Sequence, residues 1–256
     1  MGVIVAFFIL QERMIFFPEI LPDDFSYDFK GDFEEFNLEI RQGVSINAIR
    51  FKVEDPKGVI LYHHGNSRNL AYWGEKSEDF TSRGFDVVMY DYRTFGKSKG
   101  RLSEIGMHRD AKSIYRYLKK TYPPNKIIQY GVSLGSGVAT KLARKVNAPL
   151  LILETPYYSM LAMAGKVAPY LPNRLILKYP IRTDYWIRRL RCPIHIFHGN
   201  KDEMIPFKQS IRLKLLNPRI NLNMIYGGEH NNLPTFPEYQ AELGKVLDQF
   251  HDDNKS

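Results

Sequence analysis

Cysteine is almost missing from this chain: Cys192 is the only one in 256 residues. An intramolecular disulfide is therefore excluded, and the fold does not depend on an oxidising compartment. Repeats, low-complexity stretches and Pro/Gly/Ser-rich linkers are absent too, which argues against a fibrous or multi-unit chain. The ordinary balance of 44% hydrophobic and 25% charged residues excludes a disordered chain and a multi-span membrane protein. A chain of this length buries roughly three quarters of the surface it exposes when unfolded, so it needs no metal or disulfide staple.

The apolar run Met1–Leu10 (MGVIVAFFIL) stops at Gln11-Glu12-Arg13, well short of the roughly 20 residues that span a bilayer. It has no positively charged leader and no small-residue cleavage site, so it is a poor signal peptide. Three readings stay open: a first core strand, a shallow hydrophobic anchor, or the tail of a longer anchor. Membrane association is favoured over a cytoplasmic chain, because ten apolar residues at a bare terminus have little other reason to be there. Residues 1–13 are accordingly set apart from a single domain over 14–251.

Acidic residues are scarce in one segment. Between Thr155 and Cys192, seven basic residues face Asp184 alone, +6 of the total +8, among Tyr157, Tyr158, Tyr170, Tyr179, Tyr185 and Trp186. No zinc-finger spacing, basic zipper or RNA-binding aromatic motif accompanies them, so no nucleic-acid partner is expected. A solvated basic face is the plain explanation; an anionic membrane surface or acidic substrate is the alternative, since Lys/Arg with Tyr/Trp suits an interface.

Short apolar runs alternate with amphipathic segments through the rest of the chain. The runs are Gly58–Tyr62, Phe85–Tyr90, Lys126–Tyr130, Pro149–Leu153, Pro193–Phe197 and Asn221–Tyr226. They are too short for helices and rich in β-branched residues, so they read as buried parallel strands. Phe36–Ile40 and Ser45–Val53 alternate around Gly43 as an antiparallel hairpin. Met107, Ala111, Ile114, Tyr115 and Leu118 share one helix face, as do Tyr239, Leu243, Val246, Leu247 and Phe250. Thr235 and Glu238 stand at capping-box separation before the second of these helices. The pattern specifies an α/β fold, a mostly parallel twisted sheet of about eight strands with helices on both faces. Active sites in such sheets lie at the carboxyl ends of the strands.

There, Gly131-Val132-Ser133-Leu134-Gly135 follows one strand and opens a small-residue helix, the context that a G-x-S-x-G nucleophile elbow demands. The tight turn strains the backbone at Ser133, and the glycines on either side remove clashes. A second match, Gly96-Lys97-Ser98-Lys99-Gly100, lies several residues beyond its strand with no helix after it, and reads as a turn. A serine hydroxyl needs a base. Of seven histidines, His230 is the candidate, in the loop Gly227–Asn232 after the last strand. His195 and His198 point to opposite strand faces and form no metal pair. Asp202 follows the strand Pro193–Phe197 and is the candidate orienting acid, giving the order Ser…Asp…His; Glu154 and the adjacent Glu203 are its rivals. The oxyanion hole is assigned to the backbone N–H groups of Leu134 and of Asn66 in His63-His64-Gly65-Asn66-Ser67. No metal and no cofactor is expected.

Taken together, QERMIFFPEILP, YHHGNS, YDYRTFGKSKG, GVSLGSG, LETPYYS, HGNKDEMIPF and GGEHNN resemble the α/β-hydrolase superfamily, in particular its membrane-anchored α/β-hydrolase domain-containing group near the serine-aminopeptidase-like and esterase branches. The matching stretches run from Gln11 to Asn232, nearly the whole chain. The resemblance implies the α/β-hydrolase fold and cofactor-free hydrolysis of an ester, thioester or amide. It also implies an amino-terminal anchor, which is short here. Glu229 departs from the group, where many relatives carry a small residue. The expected activity is a serine hydrolase cleaving an acyl ester or thioester of a small or lipid-like substrate, with a lid insertion at about 157–186. A serine peptidase or amidase on the same residues, and a non-catalytic binding protein on the same fold, are the alternatives.

Overall fold

In the computed structural model, which describes residues 2–255, eight strands make one sheet. In chain order they are β1 (Asp32–Arg41), β2 (Val44–Lys52), β3 (Val59–His63), β4 (Asp86–Tyr90), β5 (Ile127–Val132), β6 (Leu151–Glu154), β7 (Ile194–Gly199) and β8 (Ile220–Ile225). Their order across the sheet is β8-β7-β6-β5-β3-β4-β2-β1. The β1–β2 and β2–β4 pairs are antiparallel, and every other pairing in the sheet is parallel. This is the mostly parallel α/β sheet that the spacing of the apolar runs predicts.

The central strands are apolar on both faces because both faces are covered. In β3, Val59 and Leu61 join one core while Ile60 and Tyr62 join the other; in β4, Val88 and Tyr90 oppose Val87 and Met89. The first face carries α2 (Glu104–Leu118) and α3 (Leu134–Val146). The second carries the carboxyl-terminal helix, which buries Tyr239, Leu243, Val246, Leu247 and Phe250 as its periodicity predicts. Between β6 and β7 the chain makes three short helices, α4 (Met160–Val167), α5 (Asn173–Ile176) and α6 (Thr183–Ile187); α7 (Lys208–Lys214) follows β7, and α8 (Pro237–Asp253) closes the chain.

Two expectations are corrected. The capping box at Thr235 and Glu238 does not form: α8 starts at Pro237, and the Thr235 hydroxyl donates to the Asn232 carbonyl at 2.8 Å. The reason is local. Phe236 precedes a proline, is driven out of the helical region to φ −89°, ψ 128°, and so cannot be a first helical residue after a Thr235 cap; Pro237 itself fits there because its missing N–H has no acceptor to lose. The second correction is at the other end. The strand reading of the apolar terminus fails, since Gly2–Ile15 forms a helix, α1, which ends two residues beyond the segment set apart at 1–13. Its Gln11 and Glu12 find partners in the segment 176–179 rather than in the sheet. No helix among the described residues is long and apolar enough to cross a membrane.

The turn from β5 into α3 leaves no room for a side chain at either Gly131 or Gly135. A Cβ on Gly135 would lie 2.0 Å from the carbonyl oxygen of His63 and 2.6 Å from that of His64. One on Gly131 would lie 2.6 Å from the Gly135 carbonyl. Neither obstacle is a movable side-chain tip, so β3 and α3 must separate to admit a methyl group. Gly135→Ala is therefore expected to cost about 3 kcal/mol or more, seen as a melting temperature lower by roughly 10 °C. Unchanged thermal melting would contradict this account of the turn.

Candidate active site

Ser133 sits between β5 and α3 with φ 48° and ψ −116°, a region that residues with a Cβ avoid. Its N–H donates to the Glu154 carbonyl at 2.9 Å, its own carbonyl accepts the Ser136 N–H at 3.0 Å, and these two bonds hold the bend. The residue is 8% exposed. The other G-x-S-x-G match differs in kind: Ser98 Oγ donates to the Asp91 carbonyl at 2.8 Å and accepts the Asn47 N–H at 2.9 Å, a buried turn with no free hydroxyl.

His230 Nε2 lies 3.1 Å from Ser133 Oγ, and its Nδ1 lies 2.7 Å from Asp202 Oδ2. The loop that carries His230 is pinned on three sides. Gly227 takes a positive φ of 80° and its N–H donates to Asn200 Oδ1 at 2.7 Å. The Gly228 carbonyl accepts the Lys201 N–H at 2.9 Å, and the Asn232 side chain accepts the Glu229 N–H at 2.7 Å. Loops after β7 and β8 are thus stitched together, and Asp202 and His230 meet as a consequence.

Asp202 is buried, and burial opposes its ionisation. Hydrogen bonds from His198 and His230, the His230 charge and the Ile205 N–H (2.7 Å to Oδ1) outweigh that penalty and hold the carboxyl well below the usual carboxylate range. His198 is the residue that sequence reasoning missed. Its Nε2 faces two acceptors, the Ile205 carbonyl at 2.7 Å and Asp202 Oδ2 at 3.2 Å, so it must carry the proton there. Ser210 Oγ stands 2.6 Å from its Nδ1. The available signal was its place at the end of the same strand, four residues before Asp202.

The rival acids go elsewhere. Glu203 is exposed. Glu154 is buried against two tyrosines, which donate to Oε2 from Tyr130 at 2.5 Å and Tyr239 at 2.8 Å; burial pushes its pKa up, against the pull of those hydrogen bonds. His63 is equally enclosed: Nδ1 lies 2.7 Å from the Tyr90 hydroxyl and Nε2 3.1 Å from Gln129 Oε1. Among the described residues no group of three or more metal-ligating side chains comes together.

Leu134 is the first residue of α3, so its N–H has no acceptor within the helix, and it lines a groove together with Ser133 and Asn66. Asn66 turns its other polar groups away: its carbonyl accepts the Phe17 N–H at 2.8 Å and its side chain donates to the Ile15 carbonyl at 2.5 Å. The groove holds about 380 Å³ and is walled by α1, by α4 and by Met204 and Ile205 after β7.

The model of the family described as serine aminopeptidase, S33, matches residues 54–185. The chain belongs to this family. It is an α/β-hydrolase. The lysophosphatidylserine lipase ABHD12 of Danio rerio is 34% identical over 175 residues, 60% of this chain; the chain spans only 46% of that relative's length. Protein bem46 of Schizosaccharomyces pombe is 30% identical over 201 residues, 73% of this chain and 66% of that protein. Among solved structures, the Pyrococcus furiosus esterase Pf2001 superposes with a TM-score of 0.72 at 18% identity, covering 93% of this chain and 100% of that one. Mouse alpha/beta hydrolase domain-containing protein 10 superposes at 0.65 and 18% identity, covering 86% and 99%. At such identities the likeness is one of fold.

Burial brings the His63 pKa down to about 3, with the Gln129 hydrogen bond opposing and the neighbouring histidines assisting. The folded value is below the unfolded one near 6.5. The stability this neutral imidazole contributes is therefore complete above pH 6.5 and lost as pH falls towards 3. Between pH 7 and 5 it accounts for about 2 kcal/mol. His63→Gln, which cannot take up the proton, is expected to flatten that slope in denaturant unfolding at the two pH values. An unaltered slope would show that His63 is not the group responsible.

Proposed function

We propose that this hydrolase cleaves acyl esters or thioesters with Ser133 as nucleophile, His230 as general base and Asp202 as the acid that orients the imidazole. The observation that supports this reading best is the hydrogen-bonded run from Ser133 Oγ through His230 to Asp202, at 3.1 and 2.7 Å, reached from three separate loops. Ser133 Oγ bonds to the acyl carbon while its proton passes to His230 Nε2. The main-chain N–H groups of Asn66 and Leu134 receive the negative charge on the carbonyl oxygen. Collapse expels the alcohol or thiol, protonated by His230, and leaves an acyl-serine. Water then attacks that ester with His230 again as base, and the acid departs.

An ester or thioester fits better than an aminopeptide. A free α-ammonium calls for a carboxylate near the nucleophile, and the groove beside Ser133 is lined by apolar side chains, Gln11, Asn66, Ser67 and Tyr157, with no Asp or Glu. A single acyl chain suits that lining, in keeping with the lipase and esterase named among the similar proteins. Residues 157–186 serve as the lid, with α4 as its inner wall. Asp202→Asn is expected to lower kcat by on the order of 10³–10⁴ on p-nitrophenyl acyl esters, and those esters are expected to outpace aminoacyl anilides. A mutant that keeps wild-type turnover would remove Asp202 from the reaction; a preference for the anilides would favour the peptidase reading.

We further infer contact with a lipid surface. Val5, Phe8 and Leu10 on α1 are exposed, as are Val167, Tyr170 and Leu175 on the lid, with Arg13, Lys166 and Arg174 alongside in sequence. That mixture of apolar and basic side chains suits an anionic interface. Flotation with anionic liposomes is expected, weakening in Val5→Glu/Phe8→Glu; equal recovery with and without those changes would contradict the contact.

A further inference from the structure

Helix α1 was expected to stand apart from the rest of the domain, yet it is fastened to it at two points. At its carboxyl end, Asn66 Nδ2 donates to the Ile15 carbonyl at 2.5 Å, and the Phe17 N–H donates to the Asn66 carbonyl at 2.8 Å. In the middle, Gln11 is 1% exposed. Its amide donates to the Ile176 carbonyl at 3.0 Å and accepts the Lys178 N–H at 2.7 Å. One turn of helix therefore touches the backbone of the segment 176–178, while the next grips the loop that carries Asn66. Tyr179 adds a hydrogen bond to Glu12 at 3.1 Å and an edge contact to the Phe16 ring at 4.8 Å between centroids.

A glutamine placed in an apolar helix and then buried is costly unless both ends of its amide are satisfied. Here both are, by main-chain groups of one loop, so the pairing fixes where α1 sits. Phe7, Met14 and Ile15 of α1 line the groove together with Met163, Ala164 and Val167 of α4 and with Ser133. At the roughly 30 Å³ that a water-sized group occupies in a liquid, the 380 Å³ groove accommodates on the order of a dozen methylene-sized groups.

We propose that α1 is the outer wall of the acyl-binding groove, that Phe7 and Ala164 face each other across the chain path and set its length selectivity, and that Gln11 is the positioning residue that holds the wall in place. The inference rests on the ester-hydrolase reading above and adds to it a substrate class, medium-to-long single acyl chains, selected by the amino-terminal helix rather than by the lid alone.

The test is a chain-length profile of p-nitrophenyl esters from two to twelve carbons with the full chain and four variants. Ala164→Trp fills the groove and is expected to lower the decanoyl-to-butanoyl ratio of kcat/KM at least ten-fold. Phe7→Ala opens it and moves the optimum the other way, to longer chains, by at least two carbons. Gln11→Met keeps the volume but loses both amide bonds; its decanoyl/butanoyl ratio falls about ten-fold, with the loss carried by KM more than by kcat. Ile9→Ala, on the outer face of the same helix at 63% exposure, keeps the wild-type profile. Opposite shifts from Ala164→Trp and Phe7→Ala are not something general destabilisation produces. An active enzyme whose variants all share the wild-type profile, or in which Ile9→Ala moves it as far as Phe7→Ala, overturns this inference alone. A wild type that turns over none of the esters overturns the ester-hydrolase reading together with it.

Discussion

The backbone at Ser133 is held where an L-residue does not rest by choice, at φ 48°, and the surrounding structure is arranged to keep it there. Such a conformation costs of order 1–3 kcal/mol, which must be offset by contacts that relaxation would break. The Glu154 carbonyl receives the Ser133 N–H, and Gly131 and Gly135 let β3, β5 and α3 approach to distances that any side chain would prevent. The core beneath, continuous from β3 and β4 into α2 and α3, makes that approach rigid. The result is a hydroxyl raised above the carboxyl edge of the sheet, with the start of a helix beside it, facing the one loop that carries His230.

The acid end of the arrangement obeys a similar economy. Asp202 is buried, which alone would favour its neutral form. Two histidines and a main-chain N–H converge on its carboxylate, so the charge is kept inside the protein. His198 is inaccessible and bonded on both ring nitrogens, and it fixes the carboxylate from behind while His230 meets it from the solvent side. Glu154 shows the other solution to the same problem: capped by two tyrosine hydroxyls and with its pKa raised by burial, it braces the elbow through its main-chain carbonyl.

Strand positions were legible because a doubly covered parallel sheet leaves short, uniformly apolar runs. The two G-x-S-x-G matches were separable by context alone, since only Ser133 stands between a strand and a helix. Other features depended on partners far along the chain. The role of His198 became visible only when β7 and α7 placed Ile205 and Ser210 around its ring. A terminal apolar run says nothing about what it covers, so a core strand and an anchor both stayed open for α1; Gln11, the residue that docks it, looked like the place where the run stops. The Thr235 cap failed for a local reason that was available, the bias that Pro237 imposes on Phe236.

The central claim is that Ser133 is the one activated hydroxyl. Peptide mapping by mass spectrometry after treatment with a fluorophosphonate tests it most directly. The account predicts a single adduct per chain, on the peptide containing Ser133, and none when His230 is replaced by alanine. An adduct on Ser98 or any other hydroxyl, or an unmodified protein under conditions that label related serine hydrolases, would contradict it.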